Sequence, residues 1–292
     1  MQAHRVAGFG SLALGAAVAT SAVVGPTLLK IVKFRTSHSV ETQFIGGDIV
    51  SLALVAPVLI GAGALWLRNH RLAAAATIGP ALYTAYTFVT VIGGQEYRRY
   101  PGNVEKFFPL YVSILGGAVA LTFYSWSKLA EAGIPPPAQG LRRAFTWVFV
   151  GIGGFVALAW AAQIQAVMSG HPPADYESAP ALFWLIKTLD FAFCIPALIA
   201  TGVGLKRRSP LAARATVALA GFSTYLIASI TGMAIAMQVR DDPSANSTMI
   251  FVLVPATVGL AYATWRYVAQ PEVASRPGPA PVSRTSVRAA NQ

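Results

Sequence analysis

Eight long apolar runs, separated by short islands of charged residues, dominate the pattern of hydrophobic and polar positions along the chain. A run of roughly 18 or more apolar residues can cross the hydrocarbon core of a bilayer as a helix. The pattern therefore predicts an all-α, polytopic membrane protein with eight transmembrane helices. The predicted spans lie at about residues 6–29, 46–67, 72–94, 108–128, 144–168, 181–205, 211–238 and 248–269.

The chain resembles itself when it is displaced so that Pro57 falls on Pro196, an offset that we call the repeat shift. It places segment 57–86 on segment 196–225, with 11 identities in 30 positions and no gap. Matches of Ala and Leu are expected by chance in an apolar chain, whereas matches of Pro, Gly, Arg, Thr and Tyr are less so. The identities less expected by chance are Pro57/Pro196, Gly63/Gly202, Arg68/Arg207, Thr77/Thr216 and Tyr86/Tyr225. Such self-similarity predicts an ancient duplication.

The predicted domains follow from this repeat. The first four-helix repeat covers residues 1–130, and the second covers residues 143–269. A Pro-rich cytoplasmic linker at 131–142 joins them, and a disordered basic tail occupies 270–292. Because four is an even number, both repeats enter the membrane in the same direction, which predicts two parallel four-helix repeats.

Composition and charge placement predict the orientation. Apolar residues make up 55% of the chain and charged residues 11%, against about 25% charged in soluble domains. Side one, with the termini and the 2–3, 4–5 and 6–7 loops, carries 14 basic and two acidic residues, whereas side two carries seven of each. Basic loops stay in the cytoplasm, so both termini are predicted to be cytoplasmic, in a bacterial inner membrane. The net charge of +11 is then explained by topology and anionic lipid, and it does not indicate nucleic acid.

Lys187 and Asp190 are the sharpest candidates for chemistry, because they lie three residues apart within the sixth span. A charge at the centre of a membrane helix costs roughly 2.5–3.5 kcal/mol on insertion scales, so such residues normally face a bundle interior or water. One interpretation is a substrate or proton site that faces a cavity. The other is a structural ion pair, in which Lys187 extends its ammonium toward the interface.

Asp48 is the partial counterpart of Asp190 in the first half. It lies nine residues before Pro57, whereas Asp190 lies six before Pro196, so the two acids are not strictly equivalent. Gly46-Gly47-Asp48 is typical of a helix start, where an acid would act as a cap. If both acids faced the pseudo-axis, they would line one outward-open cavity.

Tyr86 and Thr90 share a polar face on the third span, and the repeat places Tyr225 and Ser229 at the same positions of the seventh span. Polar residues of this kind either join helices by hydrogen bonds or line a polar path. We include all four as candidate substrate-binding residues.

The outer loops hold a second set of polar residues. Residues 95–107 read QEYRRYPGNVEKF, in which Arg98 and Arg99 are candidates for lipid phosphate or an anionic ligand. Four outer residues could be drawn together as metal ligands, but their spacing does not demand it, so no metal site is predicted. They are His38, Glu41, His171 and Asp175.

Several classes of site lack their usual signature. All four histidines fall outside the predicted spans, and the single cysteine, Cys194, cannot form an internal disulfide. The sequence contains no Walker A motif or Gly-rich dinucleotide loop after a strand. No cofactor and no catalytic residue are therefore predicted.

Two groups of residues carry a resemblance. One runs from Lys187-Thr-Leu-Asp190 through Cys194-Ile-Pro196 to Lys206-Arg-Arg-Ser-Pro210, and the other joins Tyr83 and Tyr86 to 107–111, Phe-Phe-Pro-Leu-Tyr. Together they resemble a group of uncharacterised bacterial eight-span membrane proteins. The resemblance covers spans two to four and six to seven, departs in the Arg- and Tyr-rich loop after span three, and implies a fold but no activity.

Three functions stay open from the sequence. The first is a transporter or permease for a small solute, which protons could drive, with Asp190, Lys187 and Asp48 as the site. The second is a non-catalytic sensor or assembly partner that acts through its outer loops. The third is a membrane enzyme on lipid-linked substrates, for which His171, Asp175 or Glu41 would have to be essential. The bilayer is the expected partner in each, and the sequence predicts no oligomeric state.

Overall fold

A computed structural model describes residues 2–131, 134–243 and 245–270, which form helices and no strands. The predicted disordered tail lies outside the described residues apart from Gln270. The α-helices are α1 (Gln2–Val24), α2 (His38–Val50), α3 (Ala56–Leu67), α4 (Ala73–Gly93), α5 (Phe108–Leu129), α6 (Gln139–Met168), α7 (Ala174–Ser178), α8 (Pro180–Leu189), α9 (Ile195–Lys206), α10 (Pro210–Val239) and α11 (Ser247–Val268). A 3₁₀ turn at Val104–Phe107 leads into α5.

The eight predicted spans are confirmed as helical segments long and apolar enough to cross a membrane. Two of them are continuous rods, each made of two α-helices joined by a short π-helical segment: α2–α3 (His38–Leu67) and α8–α9 (Pro180–Lys206). The first span ends at Val24, five residues earlier than predicted, because Gly25-Pro26 follows and proline cannot continue a helix. The fifth begins at Gln139, so the end of the predicted linker is helical.

The prediction that Asp48 starts and caps a helix is wrong. Helix α2 begins ten residues earlier, at His38, and its cap is Ser37, whose side chain accepts from the amide of Val40. The polar segment before Gly46 did not read as membrane helix, and the adjacent glycines resembled a start. Their role is instead close packing, because a side chain on Gly46 would collide with the backbone of Gly232 on α10.

A single π-helical turn joins the helices within each rod. It covers Ser51–Val55 in the first half and Asp190–Cys194 in the second, and each is followed by a proline, Pro57 or Pro196. A proline inside a helix lacks the N–H donor, and its ring clashes with the carbonyl four residues earlier. The wider turn, which holds one extra residue, accommodates that clash.

Further local details of the two halves are related by the repeat shift. Helices α3 and α9 span equivalent positions, and each ends in a turn with one left-handed residue, Asn69 (φ 53°) or Arg208 (φ 59°). The packing is also alike, since α1 lies along α3 as α6 lies along α9, and α4 packs on α5 as α10 packs on α11. The halves meet where α4 contacts α10 and where α2 contacts α10.

A second close contact between the halves is a crossing of two glycines. A Cβ atom on Gly79 of α4 would lie 2.8 Å from the Cα of Gly221 on α10. Small residues of this kind let two backbones approach within a membrane. From this crossing the two helices continue toward side two, and the space between them contains the candidate site.

Candidate functional site

A cavity of about 350 Å³ lies in the half of the bundle nearer side two. Its walls come from α1, α2, α4, α6, α8 and α10, so both halves of the chain contribute. Toward side two its wall includes an apolar cluster of Val40, Ala179 and Leu182. Toward side one, α4 and α10 converge on the glycine crossing.

The cavity brings together six of the nine predicted site residues. They are Asp48, Tyr86, Thr90, Lys187, Asp190 and Ser229. Tyr225 does not line the cavity, and its ring packs 6.2 Å from that of Tyr83. Arg98 and Arg99 are exposed in the loop at side two and lie outside the cavity.

Asp190 is buried, with 7% exposure, and each oxygen of its carboxylate accepts a hydrogen bond. The hydroxyl of Tyr86 donates to Oδ1 at 3.0 Å, and the indole N–H of Trp160 donates to Oδ2 at 2.7 Å. Asp190 opens the second π turn. A carboxylate in such a place needs donors to offset its loss of water, and these two aromatic side chains supply them.

Lys187 is also buried, with 5% exposure, but no ion pair joins it to Asp190. Its Nζ lies 3.7 Å from the ring centre of Phe183 and 4.0 Å from that of Trp160. Both distances are within the range of cation–π attraction. The ammonium therefore neither pairs directly with its neighbour nor extends to the interface.

Asp48 faces the cavity from α2. Its Oδ2 accepts a hydrogen bond from the hydroxyl of Thr27 at 3.1 Å, and a Cβ atom on Gly25 would lie 2.8 Å from the same oxygen. The carboxylate thus ties α2 to the segment that follows α1. Within the described part of the chain, no basic side chain lies within ion-pair distance of it.

The polar face predicted on the third span lines the cavity through Tyr86 and Thr90, and Tyr83 and Thr87 of the same helix line it beside them. The hydroxyl of Tyr83 is buried and has no hydrogen-bond partner among the described residues. The hydroxyl of Thr90 donates a hydrogen bond to the carbonyl of Thr87 in its own helix, at 2.8 Å. Ser229 approaches α2 so closely that a Cβ on Gly47 would lie 3.2 Å from its Oγ.

Most of the cavity wall consists of residues in pairs that the repeat shift relates. Ten such pairs line it. They are Ser21/Trp160, Val40/Ala179, Gln43/Leu182, Phe44/Phe183, Gly47/Ile186, Asp48/Lys187, Ser51/Asp190, Thr87/Leu226, Thr90/Ser229 and Val91/Ile230. The equivalent of Asp48 is thus Lys187, and the equivalent of Asp190 is Ser51, so equivalent positions of the two halves differ in charge.

The loop after α4 holds the side-two end of the bundle together. It binds the segment between α1 and α2 through Glu96 N–H to the Arg35 carbonyl (2.7 Å) and Asn103 N–H to the Lys33 carbonyl (3.0 Å). Arg35 forms an ion pair with Glu105 at 2.6 Å, and this hydrogen bond raises the pKa of the guanidinium above its ordinary value.

The same loop also contacts the helix that carries Lys187 and Asp190. The carboxylate of Glu96 accepts the amide of Ala181 in the first turn of α8, at 2.7 Å. Arg99 donates to the carbonyl of Glu177, and Tyr100 donates to that of Ser178 at 3.2 Å. Many polar groups of the loop therefore form hydrogen bonds within the protein.

A second pocket, of about 470 Å³, opens on side two beside the cavity, and Phe34 lines both. It is basic, with Lys30, Lys33 and Arg240 in its wall. His38 and Glu41 also line it, whereas Asp175 lines the cavity. No three His, Cys, Asp or Glu residues come together as a candidate metal site in the described ranges.

Sequence reasoning missed Trp160, which contacts both charged residues of the sixth span. An aromatic residue in an apolar run is typical of a lipid-facing helix, so nothing in its own surroundings indicates a site. The repeat offered a signal, because the shift that joins Asp48 to Lys187 also joins Ser21 to Trp160.

The fold and the cavity together indicate a multi-pass membrane protein with charged side chains in a cavity that both halves of the chain line. No protein-family model, no curated protein and no solved structure matches the chain.

Proposed function

We propose that this protein is a transporter or permease for a small solute, and that the solute binds in the cavity between the two halves. The observation that carries the proposal is that charged side chains of both halves, Asp48 from the first and Lys187 and Asp190 from the second, line one space between the membrane-spanning helices. Such residues are costly in a bilayer and usually mark substrate or ion pathways. The close approach of α4 and α10 at the side-one end of the cavity also suits a binding site that opens to one side at a time.

The proposed architecture is an internal duplication, with the cavity on the axis that relates the halves. The ten wall pairs related by the repeat shift support it, as do the π turns and the left-handed turns that the same shift relates. Parallel repeats of this kind occur in known transporter folds. Fold-level analogy alone does not establish an activity, so the test must address the cavity itself.

The proposed orientation has both termini in the cytoplasm of a bacterial inner membrane, which makes the cavity nearer the outer face. The excess of basic residues on side one supports it. Proton coupling is part of the proposal, because Asp48 and Asp190 are carboxyl groups that face a membrane-embedded cavity.

Site-directed labelling tests the transporter proposal without knowledge of the solute. The single cysteine is first replaced, Cys194→Ser, and Ser229→Cys or Thr90→Cys is then introduced into the cavity wall. Right-side-out and inside-out vesicles are treated with a membrane-impermeant thiol reagent. A transporter is expected to be labelled from both sides, whereas Ser125→Cys, fully buried on α5, serves as the unlabelled control.

Labelling from side two alone would contradict transport and favour the second function, a sensor or assembly partner. In that case Arg98 is the first residue to test, because its side chain is exposed on the loop at side two. Exchange of the 95–107 loop would then abolish function while Asp190→Asn would not.

A further inference from the structure

Two charged groups in the cavity have unused bonding capacity. Nζ of Lys187 contacts two aromatic rings and donates no hydrogen bond to any residue in the described ranges. A lysine ammonium has three donors, and a buried donor without an acceptor is costly. Both oxygens of Asp190 already accept from Tyr86 and Trp160. Asp190 also lies beyond ion-pair distance of Nζ, as does every other carboxylate of the described residues, so the acceptor for Lys187 is left to a molecule in the cavity.

Within the part of the chain that the structure describes, Asp48 is an acceptor that lacks a charged donor, as Lys187 is a donor that lacks an acceptor. Its carboxylate accepts from the neutral hydroxyl of Thr27 and has no basic partner within ion-pair distance in the described residues. A carboxylate offers about four acceptor positions, so most of its capacity is unused. It lines the same cavity as Lys187.

Asp48 and Lys187 carry opposite charges and occupy positions that the repeat shift relates. The repeat shift relates Asp48 on α2 to Lys187 on α8, and it likewise relates the apolar residues beside them, Phe44 and Phe183. At this pair of positions the first half presents an acid and the second a base, and the second half also contributes Asp175 and Asp190 to the lining. The lining of the cavity is otherwise mostly apolar, with Val91, Ile230 and Met233 among its members.

We propose that the cavity binds a zwitterion, with its anionic group at Lys187, its cationic group at Asp48 and an apolar segment between them. This inference rests on the proposed role of the cavity as the solute site. A purely cationic solute would leave Lys187 without its acceptor, and a purely anionic one would meet the carboxylate of Asp48. Like-charge contacts of this kind exclude wrong partners. The cavity, near the small end of the usual range for ligand sites, suits a molecule of amino-acid to dipeptide size.

The test measures binding to the full chain in nanodiscs by equilibrium dialysis. The probes are a series of ω-amino acids from glycine to 8-aminooctanoate, together with L-phenylalanine. We expect one chain length to bind best, because it matches the separation of Asp48 and Lys187. At that length, the matching alkylamine and alkanoate, each lacking one charge, should bind about tenfold more weakly, as expected for the loss of one charge-assisted hydrogen bond.

Two variants assign the ends of the ligand. Asp48→Asn should bring the affinity of the amino acid down to that of the alkanoate, and Lys187→Met should bring it down to that of the alkylamine. Asp241→Asn and Lys206→Met, which change exposed residues outside the cavity, are the matched controls. Equal binding of the alkylamine, equal binding of the alkanoate, or no binding of any zwitterion at millimolar concentration would overturn the proposal.

The labelling experiment separates this inference from the proposed function. Labelling from both sides without zwitterion binding would leave a transporter with another substrate class. Zwitterion binding with labelling from side two alone would leave the ligand class intact and replace the transporter by a sensor.

Discussion

Lys187 and Asp190 lie one helical turn apart and make no direct contact, but both contact the indole of Trp160. The ring face of Trp160 lies 4.0 Å from the ammonium, and its N–H donates to the carboxylate at 2.7 Å. A charged acceptor on the N–H polarises the ring, which strengthens the attraction of its face for a cation. The indole thus joins α6 to both charges of the α8–α9 rod.

Trp160→Phe is expected to destabilise the protein by about 2 kcal/mol. The change removes one hydrogen bond to a charged group and weakens one cation–π contact. Thermal unfolding in nanodiscs measures the effect. Trp147→Phe on the same helix is the control. Trp147 is 72% exposed on the surface of the helix bundle, so its replacement should have little effect on stability. Equal shifts for the two variants would show that Trp160 has no special contact.

A double-mutant cycle between Lys187→Met and Asp190→Asn tests the route of the coupling. Because the two groups interact through the indole, we expect a coupling free energy of about 0.5–1 kcal/mol in the native background. In the Trp160→Phe background it should fall to within about 0.3 kcal/mol of zero. A coupling that persists without the indole would mean that the charges act on each other directly through the cavity.

Gly221→Ala should destabilise the contact between the two halves by about 1–3 kcal/mol, the usual range for overpacking. A Cβ atom there would lie 2.9 Å from the Cα of Gly79, and neither backbone can move without shifting its helix. Gly154→Ala is the matched control, because no atom lies within 4 Å of its added Cβ. Unfolding in nanodiscs compares them, and the control should be neutral or slightly stabilised through its higher helix propensity.

Glu96→Gln should loosen the first turn of α8. The carboxylate of Glu96 accepts the Ala181 amide at 2.7 Å, and a neutral amide is a weaker acceptor at a helix N-terminus. Hydrogen exchange of the α8 amides should accelerate several-fold, in line with a cost of about 1 kcal/mol for a lost cap. Glu177→Gln is the control because that side chain is exposed, and only its backbone carbonyl is bound, by Arg99. Unchanged exchange in Glu96→Gln would contradict the cap.

The sequence predicted the spans well because the bilayer requires long apolar helices and leaves little choice of local structure. Its errors fell where local pattern and packing conflict. The segment before Gly46 is polar for a membrane helix, and it is helical because α2 extends to side two, where the loop after α4 and the start of α8 cover it.

The site residues were predicted from charge and repetition, and their partners were not. Asp190 and Lys187 stand out because ionisable residues are rare in spans. Their contacts with Tyr86, Trp160 and Phe183 join residues up to 104 positions apart, and such contacts depend on how helices pack. A local pattern carries no information about that packing.

Under the proposed duplication, the two π turns suggest an order in which parts of the site arose. Each π turn holds one residue more than an α turn, and the two begin at Ser51 and Asp190, positions that the repeat shift relates. Under the proposed duplication, the extra residue was already present in the single ancestral unit. The exchange of acid for base between Asp48 and Lys187 came later, when the copies could diverge. We infer an ancestor that assembled as a symmetric pair, with identical side chains facing across its axis and no means of telling one end of a bound molecule from the other.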